Sequence, residues 1–202
     1  MRKITFSSLA LLLMLSCSQS PEEKASALIQ ESVESMFWHP ETYEPMGMGI
    51  DSAFAPLDDP VFYEKSLEIC KLAVENIEYI EKAQDAENRM NSKDKAGYAQ
   101  AKRDFDYFNE KVNMLNDRIQ DYGKELTAMV GPAYRFIGYK VAHRFEILDN
   151  MGNKVQKNMV YIMDEKLTKI LAEYDTESKE YIMVQSMYQM WEEETISMIS
   201  NI

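Results

Sequence analysis

The stretch Leu126-Thr127-Ala128-Met129-Val130-Gly131-Pro132-Ala133-Tyr134-Arg135-Phe136-Ile137-Gly138-Tyr139-Lys140-Val141-Ala142-His143-Arg144-Phe145-Glu146-Ile147 decides the fold, because the period of its apolar residues changes inside it. Upstream of Gly131, the residues Tyr98, Ala101, Phe105, Phe108, Val112, Leu115, Ile119, Tyr122, Leu126 and Met129 step by three and four, a sustained heptad seam. A helix over 98–129 is a rod of roughly 48 Å at 1.5 Å per residue. Gly131-Pro132 stops it. Downstream the chain alternates: Ile137, Tyr139, Val141, His143, Phe145 and Ile147 share one face of a strand, and Gly138, Lys140, Ala142, Arg144 and Glu146 share the other.

Upstream of the rod, Asp59-Pro60 opens another helix, with Asp59 as N-cap and Pro60 at the first helical position. Phe62, Ile69, Ala73, Ile77, Ile80, Ala83 and Met90 are the expected buried stripe, and the polar run 91–95 ends the helix. So short a break predicts an antiparallel helical hairpin over 60–130; intermolecular coiled-coil pairing is the competing reading of the same seam. Before the hairpin, Ala25, Leu28, Ile29, Val33, Met36 and Phe37 recur at helical spacing, and Pro40 is expected to end that helix near Trp38. Tyr43 to Phe54 reads as extended, at a sheet edge because Pro45 cannot donate to a ladder.

Beyond the 137–147 strand, Asp149-Asn150-Met151-Gly152-Asn153 is a turn, Val155–Met163 the next strand, 164–166 a turn and Leu167–Tyr174 a further strand, a meander over 135–175. Asp175 or Thr176 is expected to cap a last helix with Tyr181, Val184, Met187, Tyr188, Trp191 and Met198 on its apolar face. The predicted class is α+β: an antiparallel sheet of three to four strands, flanking N- and C-terminal helices, and a long inserted helical hairpin, all in one domain over 25–202.

The first residues carry an address. Arg2 and Lys3 precede an apolar run, Ile4 to Leu15, too short to span a bilayer as a permanent helix, and Ser16-Cys17 follows. Leu13-Met14-Leu15-Ser16-Cys17 resembles the lipobox of bacterial lipoproteins, with Ser16 in the small-residue position, although Met14 and Leu15 are bulkier than usual. The expectation is cleavage after residue 16, fatty-acyl (palmitate) chains on Cys17 and a short tether over 17–24; an ordinary secretory signal cut elsewhere, or a coincidental apolar start, are the other readings. Two or more acyl chains hold a protein stably on a membrane, at about 0.8 kcal/mol per buried methylene.

Of 202 residues, 34 are acidic and 22 basic. Arg2 and Lys3 leave with the signal, which lowers the basic count to 20 against 34 acids. That charge disfavours nucleic acid and anionic lipid surfaces as partners. With Cys17 acylated, Cys70 has no cysteine to pair with and reads as a small buried hydrophobe.

Three segments carry a family resemblance: His39-Pro40-Glu41-Thr42-Tyr43-Glu44-Pro45, then Ile50-Asp51-Ser52-Ala53-Phe54-Ala55-Pro56-Leu57-Asp58-Asp59-Pro60, and Phe136-Ile137-Gly138-Tyr139-Lys140-Val141-Ala142-His143. With them the chain resembles a family of uncharacterised lipoproteins from Bacteroidetes, over nearly all of the mature part. The resemblance implies a taxonomic setting and a domain plan, with no activity and no site.

Candidate chemistry is sparse. The histidines are His39 and His143. His39 with Glu41 and Glu44 has no second histidine at ligand spacing, so no metal site is assigned. His143 lies on the apolar strand face, which reads as a core histidine or, less readily, as an enzyme site together with Tyr139. The run 149–153 fails as a calcium loop because Met151 stands where an oxygen ligand is needed. The pair Met46/Met48 and the row Met183, Met187, Met190 read as core or interface fillers before soft-metal ligands, and Glu192-Glu193-Glu194 as a solvated helix face. No cofactor is implied.

The expected function is that of a lipid-anchored cell-envelope protein, on the outer membrane, acting as a binding or structural module toward another envelope protein. The alternatives are an envelope enzyme around His143 and a self-associating coiled-coil lipoprotein.

Overall fold

The computed structural model describes residues 19–91, 96–131 and 134–200. The expected signal and Cys17 lie outside them. In chain order the elements are α1 (Pro21–Met36), β1 (His39–Ala55), α2 (Pro60–Met90), α3 (Tyr98–Met129), β2 (Arg135–Leu148), β3 (Lys154–Met163), β4 (Ile170–Asp175) and α4 (Lys179–Ser200). This is α+β, with a four-stranded antiparallel sheet in the order β1-β2-β3-β4. β1 is an edge strand, where Pro45 deprives no ladder of a donor. Although β1 and β2 are hydrogen-bonded neighbours, α2 and α3 are inserted between them, so the hairpin leaves and rejoins the same part of the sheet.

Local chemistry explains the boundaries that differ from expectation. α1 begins at Pro21 rather than Ala25: the Ser20 hydroxyl accepts from Glu23 N, and the Glu23 carboxylate accepts from Ser20 N at 2.9 Å, a complete capping box. Residues 21–24 are therefore helix, not tether. α1 ends at Met36, and Pro40 lies within β1. β4 starts at Ile170 rather than Leu167, because Asp164 closes a longer turn by accepting from Thr168 N at 2.6 Å and Lys169 N at 2.9 Å. The cap of α4 is Ser178, whose hydroxyl accepts from Tyr181 N at 3.2 Å; Asp175 instead accepts from Glu177 N.

The two faces of the sheet are covered differently. Ala25, Ile29 and Val33, one turn apart on α1, pack on Val141, Phe145, Ile147, Met159, Tyr161 and Met163. Full burial of Ile29 or Val33 contributes about 2 kcal/mol each. On the opposite face Ala53, Val160 and Ile162 form a smaller cluster with Ile137, Ala172 and Tyr174. Ile137 thus packs opposite to the face expected for it. The cause is Gly138, at φ +142, beside a register shift between Ala53 and Phe54. A third cluster joins the base of the hairpin to α4 through Phe62, Tyr63, Leu126, Val184 and Tyr188.

The hairpin forms, with α3 over the expected residues. Leu115 and Leu126 are buried along its seam. The expected stripe of α2 needs correction. Leu72, Asn76, Ala83 and Ala86 are the buried positions beyond its first turns, whereas Ile77 is 56% exposed and Val74 and Ile80 are exposed as well. Asn76 Nδ2 donates to Asn116 Oδ1 at 2.7 Å, and the Arg89–Asp104 and Arg118–Glu68 ion pairs link the helices along one flank.

Candidate functional site

His143 is held by three strand segments. β2 presents it on the α1-facing side, opposite Met48 of β1 and Met159 of β3. Its Nδ1 lies 3.0 Å from the Gly47 carbonyl, which can only accept, so Nδ1 carries the proton and Nε2 accepts from the Tyr43 hydroxyl at 2.7 Å. The ring is 5% exposed and stacks on Phe145 with centroids 5.4 Å apart. Burial holds its pKa below the usual imidazole value, against the opposing bond from Gly47, and burial raises that of Tyr43. Both ring nitrogens are engaged and no carboxylate reaches them among the described residues. Tyr139 is four residues along the same strand, about 13 Å away, and packs edge-on against Phe136. The structure therefore does not bring these two candidates together. Their arrangement is that of a neutral core histidine.

The other candidates occupy structural roles. His39 Nδ1 lies 3.2 Å from Glu41 on the surface, while Glu44 pairs with Lys154. The Asp149 carboxylate accepts from Met151 N and Asn153 N, and Gly152, at φ +80, completes the turn between β2 and β3. Cys70 is half-buried, its Sγ 3.8 Å from the Met183 carbonyl and 3.9 Å from Met187 Sδ, and burial pushes its thiol pKa up. The side chains of Glu192-Glu193-Glu194 and Met198 lie outside the described residues.

Two features were not anticipated. The first is a cavity of about 300 Å³ between the sheet and α4. Lys140 of β2 and Asp58 of the loop before α2 form an ion pair at 2.7 Å on its wall. Tyr63, Tyr174 and Tyr181 cluster there with ring centroids 4.1 to 6.4 Å apart, and Tyr188, Gln185 and Gln189 complete the polar lining. Burial raises the pKa of all four phenols, that of Tyr63 to about 12, so each is a neutral hydroxyl at physiological pH. The Tyr188 hydroxyl is enclosed beside that of Ser66, which donates to the Phe62 carbonyl, and Tyr188 makes no well-formed hydrogen bond with a described residue. The sequence signal was present only as an excess of tyrosine, 12 residues from scattered elements.

The second is the flank of α2 turned away from α3. α4 covers its first turns, at Phe62, Ser66 and Cys70. From Cys70 outward, Ala73, Ile77 and Ile80 continue in steps of three, four and three, the spacing of a second, shorter seam that ends at polar Gln84. Ile77 and Ile80 there are open to solvent, and so is Val74 beside them.

Compared with known proteins, the chain matches no family model, no curated protein and no solved structure. Among the described residues no helix is long and apolar enough to cross a membrane, and no group of three His, Cys, Asp or Glu is arranged to hold a metal ion.

Proposed function

We propose that this chain is a lipid-anchored cell-envelope protein, acylated at Cys17, that works as an interaction module through its helical arm. The observation that carries the second half is the α2 flank on which Ile77 and Ile80 lie open beyond half-buried Ala73, with exposed Val74 at its side. An arm of two helices buries one seam per helix; a second apolar strip on α2, continuous with the part that α4 covers, is the surface against which an amphipathic helix of another envelope protein lays its apolar face. Its length, about two turns beyond Cys70, suits a short helix. The membrane address is supported by the charged start, apolar run and lipobox-like Leu13–Cys17 segment. The acidic body sets the arm against protein rather than nucleic acid.

The test has two arms in the native host. Wild-type protein is expected in the membrane pellet and Cys17→Ser in the soluble fraction; unchanged partitioning overturns the anchor. A photo-crosslinker at Ile77 is expected to give one discrete adduct that Ile80→Glu abolishes, while the same group at exposed Lys71 gives none. An adduct of twice the chain mass identifies the partner as a second copy. Equal labelling from both positions, or none, overturns the arm as the contact.

A further inference from the structure

We infer that the tyrosine-lined cavity between the sheet and α4 is a binding site for a neutral, polyhydroxylated ring of monosaccharide size. This is independent of the arm.

Hydrogen-bonding capacity comes first. Among six of the cavity-lining side chains the Tyr188 hydroxyl is enclosed without a well-formed partner among the described residues, and the hydroxyls of Tyr63, Tyr174 and Tyr181 and the side-chain amides of Gln185 and Gln189 line the same space. Buried polar groups are almost always paired, and Tyr188 is 5% exposed with its hydroxyl enclosed. A hydroxyl and a carboxamide each donate and accept, so the array suits a ligand that also does both at neighbouring atoms. A ring of vicinal hydroxyls has that property; a hydrocarbon or a simple anion does not.

Charge comes second. The two charged groups on the wall, Lys140 and Asp58, neutralise each other at 2.7 Å. A charged ligand would enter without an unpaired counter-ion, at the cost of desolvating its own charge. A neutral one meets no such penalty. Size and shape come third. A volume of about 300 Å³ is at the lower limit of ligand pockets, which admits one ring and excludes an oligomer. Leu57, Val160 and Ile162 supply an apolar wall against which the C–H face of such a ring packs, and exposed Gln189 stands at the rim.

The test uses the purified full-length protein in detergent with glucose, N-acetylglucosamine and myo-inositol as probes, and glucuronate as the charged comparison. Saturation-transfer NMR is expected to label at least one neutral probe, with glucuronate about tenfold weaker. Tyr181→Phe and Gln185→Leu, each on the half-buried side of the cavity, are expected to weaken that probe about tenfold each, with circular dichroism and thermal midpoint unchanged. If either variant unfolds, the labelled-proton map of the wild type against a spin label at Ser186→Cys, exposed on α4 and outside the cavity lining, in a Cys70→Ser background locates the probe instead: paramagnetic broadening is expected, and its absence places the binding elsewhere. No transfer to any neutral probe, glucuronate binding as tightly as the best neutral probe, or affinity unchanged in two folded variants would overturn the site.

Discussion

The Tyr43 hydroxyl donates a 2.7 Å hydrogen bond to Nε2 of His143, joining the edge strand to the centre of the sheet. It satisfies the one acceptor of a buried imidazole whose other nitrogen donates to Gly47. Removing it leaves that acceptor enclosed and unpaired, at about 1–3 kcal/mol. Tyr43→Phe is expected to lose stability of that order in urea unfolding. A loss below about 0.3 kcal/mol, well under that range, would show the bond to be incidental.

The same ring sets a pH dependence. Its folded pKa is depressed below the unfolded value of 6.5, so below about pH 6.5 the unfolded chain takes up a proton that the folded ring refuses. The His143 contribution is full above that pH and declines as pH falls through it. His143→Gln should flatten the urea midpoint between about pH 7 and 5 relative to wild type. Parallel profiles would exclude His143 as the titrating group.

Gly138 and Gly49 answer the same substitution oppositely. At Gly138, φ is +142 and an added Cβ would meet the Met163 carbonyl oxygen at 2.0 Å, whereas at Gly49 nothing lies within 4 Å. Gly138→Ala is expected to cost ~4 kcal/mol or abolish folding. Gly49→Ala should stay within about 0.5 kcal/mol of wild type. Thermal melts of the pair decide it, and comparable losses would refute the close approach at Gly138.

Leu72 and Ile77 reverse the reading that apolar strength alone invites. Periodicity in α2 supports two seams, and Ala73, Ile77 and Ile80 form the more apolar one, yet Leu72, Asn76, Ala83 and Ala86 are the buried positions. The contacts on the buried seam are tertiary: Asn76 is tied to Asn116 of α3, the Arg89–Asp104 and Arg118–Glu68 pairs cross between the helices, and Cys70 on the other flank meets Met187 of α4. Leu72→Ala is expected to destabilise by about 2–5 kcal/mol and Ile77→Ala by less than about 0.5 kcal/mol. Equal effects in chemical denaturation would return Ile77 to the core.

That pair also marks how far the chain could be read. The change of period at Gly131, the Asp59-Pro60 start and the Pro45 edge are local signals, and each produced the element expected of it. Ile137 departs from the alternation because one bulge at Gly138 inverts it without altering composition. The cavity was illegible for a different reason: Asp58, Tyr63, Lys140, Tyr174 and Tyr181 come from five separate segments, and nothing in their spacing brings them together.

Asn76 tests what the buried seam of the arm is for. It is almost fully enclosed, its Nδ2 donates to Asn116, and its own Oδ1 has no partner. A half-satisfied amide in an apolar seam lowers stability but discriminates against slipped registers, in which it would face only apolar groups. Asn76→Leu is therefore expected to raise the unfolding free energy in urea by about 1 kcal/mol, while Asn116 turns to solvent. The same variant should loosen the pairing: cysteines at the Arg118 and Glu68 positions, whose native side-chain tips meet at 3.6 Å, joined by a bifunctional thiol reagent in a Cys70→Ser background, would cross-link uniquely in wild type and compete with shifted pairings in the variant. A destabilised variant with a single cross-link would mean that Asn76 contributes packing and bonding alone, and that register is set elsewhere along the hairpin.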